Sequence, residues 1–107
     1  LSLHDALPIF QDNFGDLSQY DTIFLGYPIW WGDLPMPVYT FLESHDLSGK
    51  KIVIFSTYGS SGLGDTVEHV QSIEKGADVE TKAYGVAAGD VGSAKDKVLS
   101  WLSELGY

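Results

Sequence analysis

Strand-like and helix-like segments alternate along this chain, and this alternation is what most restricts the folds open to it. Nearly continuous apolar segments, typical of strands covered on both faces, occupy residues 20–26 and 51–57. A weaker third strand is predicted over residues 79–87, with Gly85 inside it. A helical segment follows each strand, which gives the order β-α-β-α-β-α with about 30 residues in each unit. This order predicts a parallel sheet with right-handed crossovers and helices on both faces.

Each predicted helix has one apolar face and recognisable end signals. The first opens at residues 33–37, where proline suits a helix start, and the second stops at Gly76. The third runs from Ser93 to Leu105, and the capping-box spacing of Ser93 and Asp96 predicts that Ser93 caps it. The residues expected to face inward are Val38, Phe41 and Leu42, then Leu63, Val67, Val70 and Ile73, then Ala94, Val98, Trp101, Leu102 and Leu105.

Composition limits the function classes that are open to a single domain of 107 residues. Acidic residues outnumber basic ones by 15 to 6, and the net charge of -9 repels nucleic acid phosphates and anionic lipid. The absence of cysteine excludes disulfides, thiolate metal sites and a catalytic thiol. We expect a cytoplasmic protein that binds no metal, nucleic acid or membrane and that has a basic partner protein.

The first residues do not fit the pattern of the rest of the chain. Residues 1–9 have no basic region and no long apolar run, so they are not a secretory signal. They are predicted to be either a foreign or truncated leader or an ordinary processed terminus. Residues 10–19 are predicted to be a polar connection. Because three strands make a small sheet, we expect further strands before Phe10.

Two loops follow the carboxyl ends of the first two predicted strands, which is where open parallel sheets bind ligands. The first, residues 27–35, combines Trp30 and Trp31 with proline and glycine and would suit a flat, mostly apolar ring system. Its alternative role is to cover the adjacent helix and the core. The second, residues 56–64, is rich in glycine and serine and leads into a helix N-terminus. This second loop matches none of three known motifs: the phosphate loop, the dinucleotide-binding loop and the nucleophile elbow.

At these loops the chain resembles the flavodoxin-like family, in its bacterial branch with Tyr-Pro-x-Trp-Trp-Gly after the third strand. The resemblance covers about residues 20–106. The matching phrases are Tyr20-Asp21, Gly26-Tyr27-Pro28-Ile29-Trp30-Trp31-Gly32, Phe41-Leu42-Glu43, Leu47-Ser48-Gly49-Lys50 and Gly59-Ser60-Ser61-Gly62. The resemblance implies a three-layer α/β sandwich over residues 10–107 whose partial parallel sheet lacks the family's first two strands.

The same resemblance implies that both loops flank the isoalloxazine ring of FMN, with Tyr58 as a stacking residue. The residues that it assigns to the cofactor are Tyr27, Pro28, Trp30, Trp31, Gly32, Thr57, Tyr58, Gly59, Ser60 and Gly62. It assigns no catalytic residue. The expected function is electron transfer, as an electron carrier or as an FMN-dependent NAD(P)H or quinone oxidoreductase.

One departure from the family pattern affects these expectations. The family's phosphate-binding turn follows its first strand, which this chain lacks, so the chain is expected to hold the ring end of FMN alone. The missing strand would also pair with residues 20–26 in the family's strand order 2-1-3-4-5. The unpaired apolar edge predicts dimerisation or aggregation through this strand.

Other functions fit the sequence less well. A phospho-relay receiver domain shares the architecture, but Gly26 stands where its phosphorylated aspartate would be. A protein-interaction module that docks through the tryptophan loop remains the alternative. His4, His45 and His69 are far apart in sequence, which predicts solvated surface positions rather than metal ligands.

Overall fold

The structure, a computed structural model, describes residues 16–60 and 62–107. The expectations for residues 1–9 and for further strands before Phe10 lie outside the described residues. The strands are β1 (Thr22–Pro28), β2 (Lys51–Tyr58), β3 (Asp78–Val79) and β4 (Tyr84–Ala87). The helices are α1 (Met36–Ser44), α2 (Thr66–Ile73) and α3 (Lys95–Glu104), with short 3-10 turns at Leu17–Gln19 and Ala88–Ser93.

The strands form one parallel sheet in which β2 is central. β1 pairs with β2 along its whole length, from Thr22 opposite Lys51 to Pro28 opposite Thr57. Both β3 and β4 lie along the other side of β2. The parallel α/β architecture expected from the alternation of segments is therefore confirmed.

The third predicted strand is split into β3 and β4. From the last β3 pair to the first β4 pair, β2 moves on by three residues, from Ile52 to Phe55. The opposite segment moves on by five, from Val79 to Tyr84, so it contains two additional residues that do not pair with β2. The carbonyl of Lys82 in this excursion accepts a hydrogen bond from the Trp101 indole of α3, at 2.7 Å. The prediction of a single continuous strand over residues 79–87 was wrong, because this bulge interrupts the strand.

Helices cover the two faces of the sheet unequally. α1 and α2 pack on the face that carries Leu25, Ile52 and Ile54, and this side holds the main core. α3 packs on the other face through Ala94 and Trp101, which are both buried. The two helical layers and the sheet give the expected three-layer arrangement, and the residues expected to face inward from the three helices are all buried or half-buried.

The α3 side of the sheet leaves an apolar groove of about 900 Å³ between the sheet and α3. Phe24 and Phe55 in its floor are each 45% exposed. The ring of Phe55 lies across Gly26, where a Cβ would overlap it, so a larger residue at Gly26 would require the Phe55 side chain to move. Among the described residues β1 has a strand partner on one side only. This face therefore has apolar surface that the described residues do not cover.

The start of α3 differs from the capping prediction for Ser93. The 3-10 turn leads directly into α3, and the residue at the helix boundary is Ala94, with no side-chain cap. The hydroxyl of Ser93 donates instead to the carbonyl of Asp90, at 3.2 Å. Ser93 lies inside the preceding turn, so its side chain cannot reach the N–H groups that a capping box would satisfy.

None of the helices among residues 16–60 and 62–107 combines the length and apolarity needed to cross a membrane.

Glu74 is a buried carboxylate at the end of α2. Its side chain is only 4% exposed, and its Oε2 accepts the N–H of Leu47 at 3.0 Å. Its Oε1 has no hydrogen-bond partner among the described residues. Burial raises the pKa of Glu74 because it penalises the charged form, and the hydrogen bond from Leu47 opposes this shift.

Replacing Glu74 with glutamine tests this buried charge. Because the pKa of Glu74 is raised on folding, its contribution to stability is present at low pH and is lost as pH rises above the ordinary glutamate value of 4.5. We expect the free energy of unfolding of Glu74→Gln, relative to the wild type, to increase between about pH 4 and pH 7. Denaturant titrations over this range measure it. The exposed Glu43→Gln is the control, and a Glu74→Gln difference that stays constant with pH would contradict the prediction.

Candidate functional site

The loops that follow β1 and β2 lie at the same edge of the sheet. Pro28 at the end of β1 is opposite Thr57 of β2, and the N–H of Ile29 donates to the carbonyl of Thr57 at 2.8 Å. The two loops also approach each other closely, since a Cβ on Gly64 would lie 3.5 Å from the carbonyl oxygen of Gly32. The parallel register thus brings the two predicted loops together.

A tight turn at residues 30–33, here called the tryptophan hairpin, forms the first loop. The N–H and carbonyl groups of Trp30 and Asp33 bond to each other reciprocally, at 3.0 and 3.1 Å. The two central residues both have positive φ, 55° at Trp31 and 75° at Gly32, which is the pattern of a type I′ turn. The left-handed region suits glycine but costs a residue with a Cβ about 1–2 kcal/mol. Trp31 is therefore held in a strained conformation, as residues at functional sites often are.

The hairpin presents its indoles to solvent. Trp31 is fully exposed, at 103% of its reference area, and Trp30 is 57% exposed. The alternative interpretation, in which both rings cover the core, does not hold for Trp31. A fully exposed indole at the tip of a strained turn is an apolar surface available to a ligand or a partner.

The second loop, described here at residues 59–60 and 62–64, presents backbone rather than side chains. A Cβ would meet no atom within 4 Å at Gly59 or Gly62, and the same is true of Gly32 in the hairpin. The N–H groups of these three glycines have no acceptor among the described residues. Both loops therefore offer accessible hydrogen-bond donors at one edge of the sheet.

The other predicted site residues are placed differently from one another. Pro28, Thr57 and Ser60 are exposed at this edge. Tyr58 is half-buried and packs against the core, with its ring edge about 2.9 Å from where a Cβ on Gly85 would lie. The side chain of Tyr58 therefore extends toward β4 and not toward the tryptophan hairpin.

Tyr27 has a supporting position in the site. It is only 4% exposed, and its hydroxyl donates to Thr66 Oγ1 at 3.0 Å, while Thr66 in turn donates to the carbonyl of Leu63 at 2.8 Å. Burial raises the pKa of Tyr27, and the hydrogen bond with Thr66 partly opposes this. Tyr27 thus connects β1 to the end of the second loop from inside the protein and presents little surface to a ligand.

Three side chains behind the hairpin, here called the Asp33 cluster, were not predicted from the sequence. The hydroxyl of Tyr39 on α1 donates to Asp33 Oδ1 at 2.6 Å, and His69 Nδ1 on α2 lies 3.0 Å from the same oxygen. His69 was predicted to be a solvated surface residue, but its ring contacts both other members of the cluster. The 36 residues between Asp33 and His69 give no sequence signal for this contact.

The hydrogen bonds of the cluster shift two pKa values in opposite directions. The Tyr39 hydroxyl and then the Leu34 N–H hold the pKa of Asp33 below its usual value, with smaller contributions from His69. Burial and then the Asp33 carboxylate raise the pKa of Tyr39 to about 12. At neutral pH the cluster therefore consists of a carboxylate that accepts and a tyrosine that donates. No group of three or more potential metal ligands occurs among the described residues.

Comparison with known proteins identifies the family. A family model described as Flavodoxin matches residues 3–105. The chain belongs to the flavodoxin family. The flavodoxin-like resemblance that the loop motifs predicted is thereby confirmed.

Solved structures agree with this assignment. The chain is similar to a candidate flavoprotein from Bacteroides eggerthii DSM 20697, with 30% identity and a TM-score of 0.64 over 82% of this chain and 52% of that one. It is also similar to one from Bacteroides uniformis ATCC 8492, with 31% identity and a TM-score of 0.64 over 79% and 54%. The chain thus spans about half the length of these flavodoxin relatives. A search of curated proteins found no significant match.

The strain at Trp31 can be tested by substitution. Asparagine tolerates the left-handed region better than tryptophan, and Asn-Gly is a favoured pair for a type I′ turn. We expect Trp31→Asn to raise the free energy of unfolding by about 1 kcal/mol, measured by denaturant titration. The control is Trp30→Asn, because Trp30 does not share the positive φ. Equal effects of the two substitutions, or a loss of stability in Trp31→Asn alone, would contradict the strain.

Proposed function

We propose that the two loops hold the isoalloxazine ring of FMN and that the protein of which they are part transfers electrons. The observation that carries this proposal is the fully exposed Trp31, held in a strained turn beside the open backbone of the second loop. A strained, exposed aromatic residue is costly unless a ligand covers it. Membership of the flavodoxin family and the similarity to candidate flavoproteins support flavin as that ligand.

The residues present suit a flat ring with a polar edge. The indoles of Trp30 and Trp31 offer apolar faces that can stack on a ring and exclude water from it. The N–H groups of Gly32, Gly59 and Gly62 can donate to its carbonyl oxygens and nitrogens, since no side chain obstructs them. The close approach of Gly64 to Gly32 brings the two loops together on one ligand.

The chemistry divides between the cofactor and the chain. Bound flavin supplies transfer of one or two electrons. The chain would bind the ring, orient it and lower the polarity around it. The net charge of -9 disfavours negative charge on the ring and would lower its potential for accepting the last electron. These properties suit either an electron carrier or an FMN-dependent reductase that acts with NAD(P)H or a quinone.

The charge of the chain also suggests its partner. An acidic surface is complementary to a basic redox protein, and such an association weakens as salt concentration rises. We propose a partner of this kind in the cytoplasm. Pairing of a second chain along the side of β1 that has no strand partner among the described residues is the expected route to dimerisation or aggregation of the chain by itself.

A flavin titration tests the proposed ring site. Because both loops contact the ring end, we expect riboflavin and FMN to bind this chain weakly and with affinities that agree within about threefold. Quenching of flavin fluorescence measures both. Trp31→Asn should weaken binding of each about tenfold because it removes the stacking surface. The control is Tyr20→Ala, which removes an exposed aromatic side chain before the start of β1, away from the loops.

Two outcomes would contradict the proposal. Tight binding of FMN without binding of riboflavin would mean that the phosphate, and not the ring, is recognised by this chain. Binding of neither flavin at high concentration would favour the second candidate function, in which the exposed Trp31 docks on another protein.

A further inference from the structure

We propose that Asp33 is a positioning residue that fixes the tryptophan hairpin against α2, and that protonation of His69 strengthens this contact and so regulates ring binding. The proposal rests on the flavin-binding function proposed above. It concerns how the site is held in place and controlled, which neither the family match nor the loop motifs describe.

Asp33 connects the hairpin to both neighbouring helices through a single oxygen atom. Its Oδ1 accepts the N–H of Leu34 at 2.7 Å and the hydroxyl of Tyr39 on α1 at 2.6 Å. The same oxygen lies 3.0 Å from Nδ1 of His69 on α2. The hairpin is thus tied to α1 through Tyr39 and to α2 through His69.

The position of Asp33 determines the position of Trp31. Asp33 closes the turn through its reciprocal backbone hydrogen bonds with Trp30, so only Trp31 and Gly32 lie between them. The fully exposed ring of Trp31 contributes no packing that could hold the tip in place. The anchor at Asp33 therefore sets where the indole is presented to a ligand.

The contact with His69 also relates the two loops to each other. α2 begins at Thr66, directly after the second loop, and His69 lies one turn into it. A hairpin that is fixed to α2 keeps its distance from the backbone of Gly59 and Gly62, which the ring site requires. Tyr39 by itself ties the hairpin to α1, which follows the hairpin in the chain, and it reaches α2 only through its own 3.2 Å contact with His69 Nδ1.

The hydrogen bonds determine which atom of His69 carries a proton. The Tyr39 hydroxyl uses its proton for Asp33, and its oxygen lies 3.2 Å from His69 Nδ1. Nδ1 must therefore donate, which it does both in one neutral tautomer and in the charged imidazolium. Protonation keeps this geometry and adds a positive charge 3.0 Å from the carboxylate.

The charged groups around His69 favour this response. The hairpin contributes Asp33, and α1 contributes Tyr39 together with Glu43, which acts on Tyr39. On and beside α2 itself lie Asp65 and Glu68, and β3, which also contacts α2, carries Asp78. Lys75, just beyond the end of α2, is the one basic residue among the described residues of these segments, and the carboxylate of Asp33 is the charged group in direct contact with His69.

The expected effect is modest because water reaches the pair. The side chains of His69 and Asp33 are 40% and 48% exposed, which screens their attraction. Histidine changes charge between about pH 5 and pH 8. Over this range we expect riboflavin affinity to be about two- to fivefold higher at the acidic end, because the protonated form holds the hairpin more firmly.

Fluorine NMR of the chain labelled with 5-fluorotryptophan tests the positioning role without any flavin. Trp31 is assigned from the signal that Trp31→Asn removes, and the buried Trp101 on α3 reports on the fold. We expect the Trp31 signal to shift with a single transition between about pH 5 and pH 8 while the Trp101 signal stays constant. His69→Asn, which retains a neutral donor near Nδ1, should abolish the Trp31 transition. His45→Asn, at the other described histidine, should leave it unchanged.

Riboflavin titrations of the same variants at both pH values complete the test. The two- to fivefold change should occur in the wild type and in His45→Asn but not in His69→Asn. A Trp31 signal that does not respond to pH, or that responds equally in His69→Asn, would overturn the positioning role. Failure of flavin binding at every pH, together with a Trp31 transition that depends on His69, would instead contradict the proposed function and leave the contact supported.

Discussion

The parallel pairing of β1 with β2 is the interaction on which the rest of the structure depends. Their register places Pro28 opposite Thr57, so the chain leaves both strands at the same edge of the sheet. The tryptophan hairpin and the glycine-rich loop come together for this reason alone, although 26 residues lie between Gly32 and Gly59. An antiparallel arrangement of the same strands would place the two loops at opposite ends of the sheet.

In the proposed ring site the two loops have complementary roles. The hairpin provides large apolar surface at the cost of strain at Trp31, and the second loop provides backbone donors because glycine leaves them open. Polar side chains behind the loops hold them in place, one pair buried and one pair half-exposed. Tyr27 reaches Thr66 at the start of α2, and Asp33 reaches His69 one turn further along the same helix. The exposed part of the site is thus supported by contacts that converge on α2.

The sequence predicted the features that depend on local pattern. Apolar segments identified β1 and β2, and helical spacing identified the buried faces of all three helices, because burial depends mainly on periodicity. It could not predict contacts between distant residues. The Asp33 cluster depends on the packing of α1 and α2 against the hairpin, and nothing near His69 in the chain indicates it. The break between β3 and β4 likewise involves Trp101, whose indole bonds to the carbonyl of Lys82 from 19 positions further along the chain.

The sequence predicted the candidate site, like the fold, only where local pattern determines it. The motif that contains Trp30, Trp31 and Gly32 predicted a loop after the first strand and beside the second loop, which the structure has, but residue type alone could not show which aromatic rings are accessible. Tyr27 is part of the same phrase and Tyr58 of the predicted second loop, and the structure directs both side chains inward. The positive φ of Trp31 was also unpredictable from its identity, because tryptophan is among the residues least suited to that conformation.

Amide chemical shifts of the labelled chain during a riboflavin titration test most directly whether the two loops form one ring site. If they do, the amide signals of Trp31, Gly32, Gly59 and Gly62 shift together along one binding curve, while those of Lys51 and Asp78 at the opposite edge of the sheet do not move. Shifts confined to one loop, or centred on the apolar groove beside Leu99, would show that the loops do not act together on a flavin ring.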